Sequence, residues 1–134
     1  MSINEHELVK TAANYAALSP VDFMRRAADV YPDRLAVIHG NIRRNWAETY
    51  ARSMQLGHAL RGLGVGKGDT VTVMLANTPE MVECHFGVPV IGAVLNTLNT
   101  RLDAHSLTYM FNHAESKVVI VDREFSKVVK EALQ

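Results

Sequence analysis

The chain has 134 residues, enough for one packed domain with a buried core and too few for two independent ones. Hydrophobic residues make up 48% of it and charged residues 21%, a balance that excludes a disordered or membrane-embedded protein. Lysine plus arginine and aspartate plus glutamate each number 14, so no net charge attracts nucleic acid or an anionic membrane surface. We expect one globular unit that does not bind nucleic acid.

The N-terminal residues, the apolar runs and the single cysteine bear on location. Residues 1–7 are polar and partly acidic, and they lack the basic start and apolar run of a signal peptide. Glycine, proline or a charged residue interrupts every long apolar stretch before the roughly 18 residues that a membrane-spanning helix needs. Cys84 cannot form a disulfide within the chain and suits a reducing compartment. These features predict a cytoplasmic protein without a membrane span.

The first predicted elements are a surface strap and a helix. Residues 1–18 show little hydrophobic periodicity and are predicted to be a lead-in strap, with residues 19–134 forming the folded unit. Ser19 followed by Pro20 is a cap and a first-turn proline, and an acid follows them in the first turn. This pattern predicts a helix over residues 20–30.

A predicted hairpin and a longer helix come next. Two short β-rich runs at 35–38 and 42–44 flank a turn at Gly40, which predicts a β-hairpin. Asn45 with Glu48 three residues later predicts a capped helix that ends near residue 62. Its apolar stripe at helical spacing is expected to comprise Trp46, Tyr50, Met54, Gly57 and Leu60.

The rest of the chain alternates between strand and helix patterns. Strands are predicted at 70–75, 93–98 and 117–121, and helices from residue 79 onward with a kink or early end at Gly87 and Pro89, at 103–113 and at 123–133. The first of these strands is almost continuously apolar, as expected for a central strand covered on both faces. Such alternation favours right-handed crossovers. The predicted fold class is therefore α/β, a three-layer arrangement with a mainly parallel sheet between helices and a short N-terminal β-hairpin.

A glycine-rich segment at residues 62–69 invites comparison with a phosphate-binding loop. Such loops follow a strand and open a helix, whereas this segment follows a helix and precedes a strand. A Walker A loop would need a glycine where Arg61 stands and a serine or threonine where Gly68 stands. The segment is predicted to be a helix C-cap and turn.

Polar and charged side chains elsewhere do not form a recognisable chemical motif. Cys84 and His85 are neighbours on a predicted helix, so their side chains diverge by about 100° and do not form a catalytic pair. A packed free thiol is favoured for Cys84, and the six histidines lack ligand spacing and are expected at the surface. The arginine pairs at 25–26 and 43–44 are expected on solvated faces.

A polar segment follows the predicted strand at 93–98. Residues 96–102, NTLNTRL, place asparagine and threonine at the carboxyl end of that strand, where open α/β sheets form ligand crevices. A structural turn is favoured over a ligand site for these residues, and a ligand site remains the open alternative.

Several segments together resemble the AMP-forming acyl-CoA synthetases, the superfamily of acyl-adenylate-forming ligases. Residues 32–38, PDRLAVI, are similar to the opening strand of that family, and residues 45–50, NWAETY, to the start of its first long helix. Residues 62–77 are similar to its helix, turn and strand, and residues 92–102 to its next strand and turn. The last stretch most resembles the fatty or medium-chain acyl-CoA ligases.

The resemblance implies a two-step reaction. A carboxylate attacks the α-phosphate of ATP to give an acyl-adenylate and pyrophosphate, and the thiolate of coenzyme A then displaces AMP. The parent enzyme would use ATP, Mg²⁺, coenzyme A and a carboxylic acid. Its phosphate loop, its ribose-binding acid and its catalytic lysine have no counterpart in this sequence, so the resemblance assigns no catalytic, cofactor-binding or metal-binding residue and no cofactor to the chain itself.

Three hypotheses follow from the sequence. The first is an N-terminal α/β portion of a larger ligase domain, which stops before the phosphate loop and is inactive alone. The second is a stand-alone α/β module that binds a nucleotide or a protein. The third is a remnant that forms a homodimer through an exposed sheet edge or apolar helix faces.

Overall fold

The computed structural model describes residues 10–134, and within them the elements follow the predicted order. The α-helices are α1 (Pro20–Val30), α2 (Trp46–Gly62), α3 (Pro79–Gly87), α4 (Ala104–His113) and α5 (Ser126–Ala132). The strands are β1 (Leu35–His39), β2 (Ile42–Asn45), β3 (Thr70–Met74), β4 (Val94–Thr97) and β5 (Ser116–Val121). Short 3-10 turns occupy Pro89–Ile91 and Arg123–Phe125.

The strands form two separate sheets. β1 and β2 pair as an antiparallel hairpin, with Ile38 opposite Arg43 and with Gly40 in the turn at a positive φ of 52°. The other three strands form a parallel sheet in the order β4-β3-β5, in which Thr72 of the central strand pairs with Asn96 of β4. Both the hairpin and the parallel sheet confirm the predicted fold class.

Helices cover both faces of the parallel sheet and produce two cores. On one face, Val71 and Val73 of β3 are fully buried against α2 and α3, where they meet Leu60, Cys84 and Val88. On the other face, Met74 belongs to a second core formed with α4 and α5, whose buried members include Leu107, Phe111, Val129 and Ala132. Alternate residues of β3 thus serve opposite cores, as its continuous apolarity predicts, and the arrangement has three layers.

Helices α2 and α3 pack more closely than large apolar side chains between them would allow. The buried residues of α2 are Thr49, Ser53, Gly57 and Leu60, whereas Trp46, Tyr50 and Met54 are only partly buried. A Cβ atom on Gly87 would lie 2.7 Å from the backbone oxygen of Ser53. Gly57 and Leu60 of the predicted stripe are therefore buried as expected, and Thr49 and Ser53 are buried in addition. Small residues at this contact let the two helix backbones approach each other.

The ends of the elements follow local signals. The Asn45 side chain accepts from the Glu48 N–H at 2.8 Å, and the Glu48 carboxylate accepts from the Asn45 N–H at 2.9 Å, which completes the predicted capping box. α3 ends at Gly87, as predicted. The predicted closing helix at 123–133 begins instead with a 3-10 turn capped by Asp122. Residues 10–18 of the predicted strap lie outside any helix or strand, and residues 1–9 lie outside the described part.

Candidate functional site

A crevice of about 550 Å³ lies at the carboxyl ends of β3 and β4. Residues that follow these two strands form its floor, and α3 forms one wall. The lining residues are Leu75, Ala76, Asn77, Met81, His85, Thr97, Leu98, Asn99 and Thr100. Ligands of open α/β sheets bind in this position, outside the carboxyl ends of the strands. The polar turn singled out in the sequence therefore lies in the crevice.

His85 presents a hydrogen-bond acceptor at the crevice. Its Nδ1 lies 2.8 Å from the backbone oxygen of Met81, one helical turn earlier. Because a carbonyl oxygen only accepts, Nδ1 carries the hydrogen and donates it. In the neutral imidazole, Nε2 is then left as an unprotonated acceptor. The exposed His85 ring borders the crevice, and this nitrogen makes no hydrogen bond to another residue within 10–134.

The other polar groups of the crevice are mostly unengaged. Asn77, Thr97 and Thr100 make no side-chain hydrogen bond to another described residue. Asn99 uses its side-chain oxygen to accept from the Arg101 N–H at 3.0 Å, which leaves its amide N–H groups available. No aspartate, glutamate, lysine or arginine is among the lining residues. The crevice can form hydrogen bonds without a carboxylate, ammonium or guanidinium group in its lining.

An apolar groove of about 340 Å³ adjoins the crevice between the β-hairpin and α3. Val37, Ile38, Pro79 and Val82 contribute to its walls, and Ile38 remains 61% exposed. Asn77, Met81 and His85 line both depressions and form the boundary between them. The crevice and the groove are therefore adjacent along α3.

A buried ion cluster fixes α3 beside the crevice. Glu83 of α3 is 7% exposed, and its carboxylate accepts from Arg44 of β2 and from Arg52 of α2, whose Nε lies 2.6 Å from Oε1. The Glu83 carboxylate raises the pKa of the Arg52 guanidinium by accepting this hydrogen bond. The expectation of a solvated Arg44 was wrong, because its side chain is only 17% exposed and paired.

The glycine-rich segment at 62–69 forms a helix C-cap and turn, as predicted. Gly64 and Gly68 adopt positive φ angles of 82° and 86°, and the Val65 N–H donates to the Leu60 oxygen at 3.0 Å. The Asp69 carboxylate accepts from Lys117 Nζ at 2.7 Å and from the Gly66 N–H at 2.7 Å, and these bonds lower its pKa. The turn immediately precedes β3, so it lies at the opposite end of the strands from the crevice.

Cys84 is a packed thiol, as the sequence indicated. It is 2% exposed within the core between α2, α3 and the sheet. Burial raises the pKa of its thiol to about 11, and the nearby carboxylates of Glu83 and Glu80 act in the same direction. The thiol is protonated at neutral pH and is not a nucleophile. Among residues 10–134, no three histidine, cysteine, aspartate or glutamate side chains are grouped so as to hold a metal ion.

The fold and the crevice define a class of α/β proteins that bind ligands at the carboxyl ends of a parallel sheet. Residues 24–134 match the family model described as AMP-binding enzyme. The chain belongs to this AMP-binding enzyme family.

Known relatives and structures agree with that membership. The chain is 44% identical to the acetate–CoA ligase CCL3 of Humulus lupulus over 96% of its own length, and 42% identical to a peroxisomal benzoate–CoA ligase of Arabidopsis thaliana over 95%. A fatty acyl CoA synthetase of Mycobacterium tuberculosis superposes with a TM-score of 0.79 at 29% identity, covering 82% of this chain and 22% of that one. The chain spans 22% of the length of each of the two curated relatives.

Sequence reasoning identified part of this site. The asparagine- and threonine-rich turn was found because it follows a strand, and Asn99 and Thr100 line the crevice. Asn77 and His85 were missed as crevice residues, since their meeting with β4 depends on the register of two strands distant in sequence. Within residues 10–134, no helix is long and apolar enough to cross a membrane.

Proposed function

We propose that this chain forms the first portion of an AMP-forming carboxylic acid–CoA ligase. The family match over residues 24–134 carries this proposal. The parent enzyme would join a carboxylic acid to the α-phosphate of ATP with release of pyrophosphate. Coenzyme A would then displace AMP through its thiol to form the thioester.

The residues of this chain suit a scaffold for that reaction, and its crevice does not suit binding of the nucleotide. The crevice contains no carboxylate to hold Mg²⁺ and no cation to hold a phosphate. The crevice lining therefore does not fit a magnesium–ATP complex, and we assign its binding to other segments of the parent. What this chain contributes is the parallel sheet and the helices that cover it.

The substrate is proposed to be a fatty or medium-chain carboxylic acid. Residues 96–102 support this choice through their resemblance to ligases of that kind. The two relatives are named as acetate and benzoate ligases, so the acids tested with the parent enzyme should include short, medium-chain and aromatic ones.

Thioester formation by the parent enzyme tests the proposal. Purified parent would be supplied with ATP, Mg²⁺, coenzyme A and, in turn, acetate, butyrate, octanoate or benzoate, and acyl-CoA would be measured by mass spectrometry. We expect one or more thioesters to accumulate together with AMP. Production of ADP, or no thioester from a folded parent with any of the acids, would contradict the proposal.

The chain alone is proposed to be inactive in this reaction and to belong to a cytoplasmic parent. The protonated Cys84 thiol and the absence of an ionisable pair from the crevice lining support inactivity. The single cysteine supports a reducing compartment. Fluorescence microscopy of the tagged parent tests the location, and a peroxisomal signal would contradict the cytoplasm.

A further inference from the structure

The polar crevice and the apolar groove share a boundary. Asn77, Met81 and His85 line both depressions, so a ligand can contact both at once. Their volumes, about 550 and 340 Å³, lie in the range of small-molecule sites. The two depressions also differ in chemistry. The crevice adds the hydroxyls of Thr97 and Thr100 and the amide of Asn99 to the shared residues, whereas the groove adds Val37, Ile38, Pro79 and Val82 beside the polar His39 and Thr78.

The crevice favours an uncharged polar group. A carboxylate or phosphate would enter without an arginine or lysine partner among the lining residues, and an ammonium group would enter without a carboxylate. A secondary amide can pair with both the hydrogen-bond acceptor and the hydrogen-bond donors of the crevice. Its N–H can donate to His85 Nε2, and its oxygen can accept from the amide N–H groups of Asn77 or Asn99.

We propose that the crevice and the adjoining groove together bind an uncharged amphipathic ligand, with a secondary amide or an equivalent donor and acceptor group in the crevice and an aliphatic tail in the groove. His85 is the specificity-determining residue, because its Nε2 accepts the hydrogen bond from the ligand. Val37, Ile38 and Val82 contact the tail. This site goes beyond the proposed ligase activity and does not depend on it.

A set of three probes with the same tail tests the charge preference. N-octylacetamide, octanoate and octylammonium would each be titrated into the 134-residue chain, with binding followed by the backbone amide resonances of Met81, His85 and Leu98. We expect saturable shifts at these positions for the amide, and at least tenfold weaker binding for both ions. Equal affinity for all three probes, or shifts confined to other residues, would overturn the proposal.

Matched histidine variants test the assigned acceptor. His85→Phe keeps an aromatic ring on the exposed surface and removes Nε2, so the amide should bind roughly fivefold more weakly, the effect of one lost hydrogen bond. His113→Phe serves as the control, since His113 lies on α4 and stacks on Tyr109 outside both depressions. The amide affinity of this control should be unchanged. Equal affinity of the amide for wild type and His85→Phe would overturn the role of His85, as would equal losses in both variants.

Discussion

The most informative perturbation of the fold is Glu83→Gln, because this change leaves two arginines facing a neutral side chain. The carboxylate of Glu83 links β2, α2 and α3 through Arg44 and Arg52. Removing one partner from a buried ion pair costs about 3–5 kcal/mol, whereas an exposed pair contributes about 0–1 kcal/mol. Side-chain exposures of 9% for Glu83, 17% for Arg44 and 43% for Arg52 place this cluster between the two cases. We expect a loss of about 2–3 kcal/mol.

Urea denaturation of the wild-type chain and of Glu83→Gln measures this loss, which should appear as a lower urea concentration at the unfolding midpoint with an unchanged m-value. The matched control is Glu80→Gln, on the same helix and 4.0 Å from Arg44, but with a side chain that is 50% exposed. Its expected cost is below about 0.5 kcal/mol because water screens the pair. A Glu83→Gln variant as stable as Glu80→Gln would refute the view that burial gives the cluster its strength.

Three further predictions concern packing, thiol chemistry and pH. Gly87→Ala should destabilise the chain by about 1–3 kcal/mol in urea titrations, because its Cβ would lie 2.7 Å from the Ser53 oxygen, whereas Gly62→Ala, with open space, should cost less than about 0.5 kcal/mol. The Cys84 thiol, with its pKa raised from 9.0 to about 11, should react with iodoacetamide near pH 8 at least about 100-fold more slowly in the folded chain than in urea; equal rates would show that the thiol is not buried. Hydrogen bonding lowers the pKa of Asp69 in the folded chain. The ionised Asp69 carboxylate therefore stabilises the fold at pH values above its ordinary pKa of 3.8, and this stabilisation is lost as pH falls from 3.8 through the lowered pKa. Asp69→Asn should therefore lose less stability than wild type on acidification through this range in urea titrations, and parallel losses would contradict the assigned Lys117 and Gly66 hydrogen bonds.

Elements with local signals were predictable, and contacts between distant segments were not. Ser19 and Pro20 set the start of α1, and Asn45 with Glu48 set the start of α2, because each cap involves residues within three positions of one another. The burial of Arg44 depends on Glu83, 39 residues away, and no local pattern reveals such a pair.

The same distinction applies to α2 and to the crevice. Ser53 is buried where Gly87 allows α3 to approach closely, so a stripe drawn from apolar residues alone missed it. In the crevice, the position of residues 96–102 after a strand was readable from the sequence. The presence of His85 beside them required the order β4-β3-β5 and the packing of α3.

The proposed ligase function is tested most directly by ATP–pyrophosphate exchange, measured side by side for this chain and for the protein encoded by its complete open reading frame. We expect the frame to continue past Gln134 into a glycine-rich phosphate loop. We also expect the encoded protein to exchange labelled pyrophosphate into ATP only when a carboxylic acid is present, and the 134-residue chain to show no exchange. Acid-dependent exchange by the chain alone, or none by the folded full-length protein, would contradict the claim.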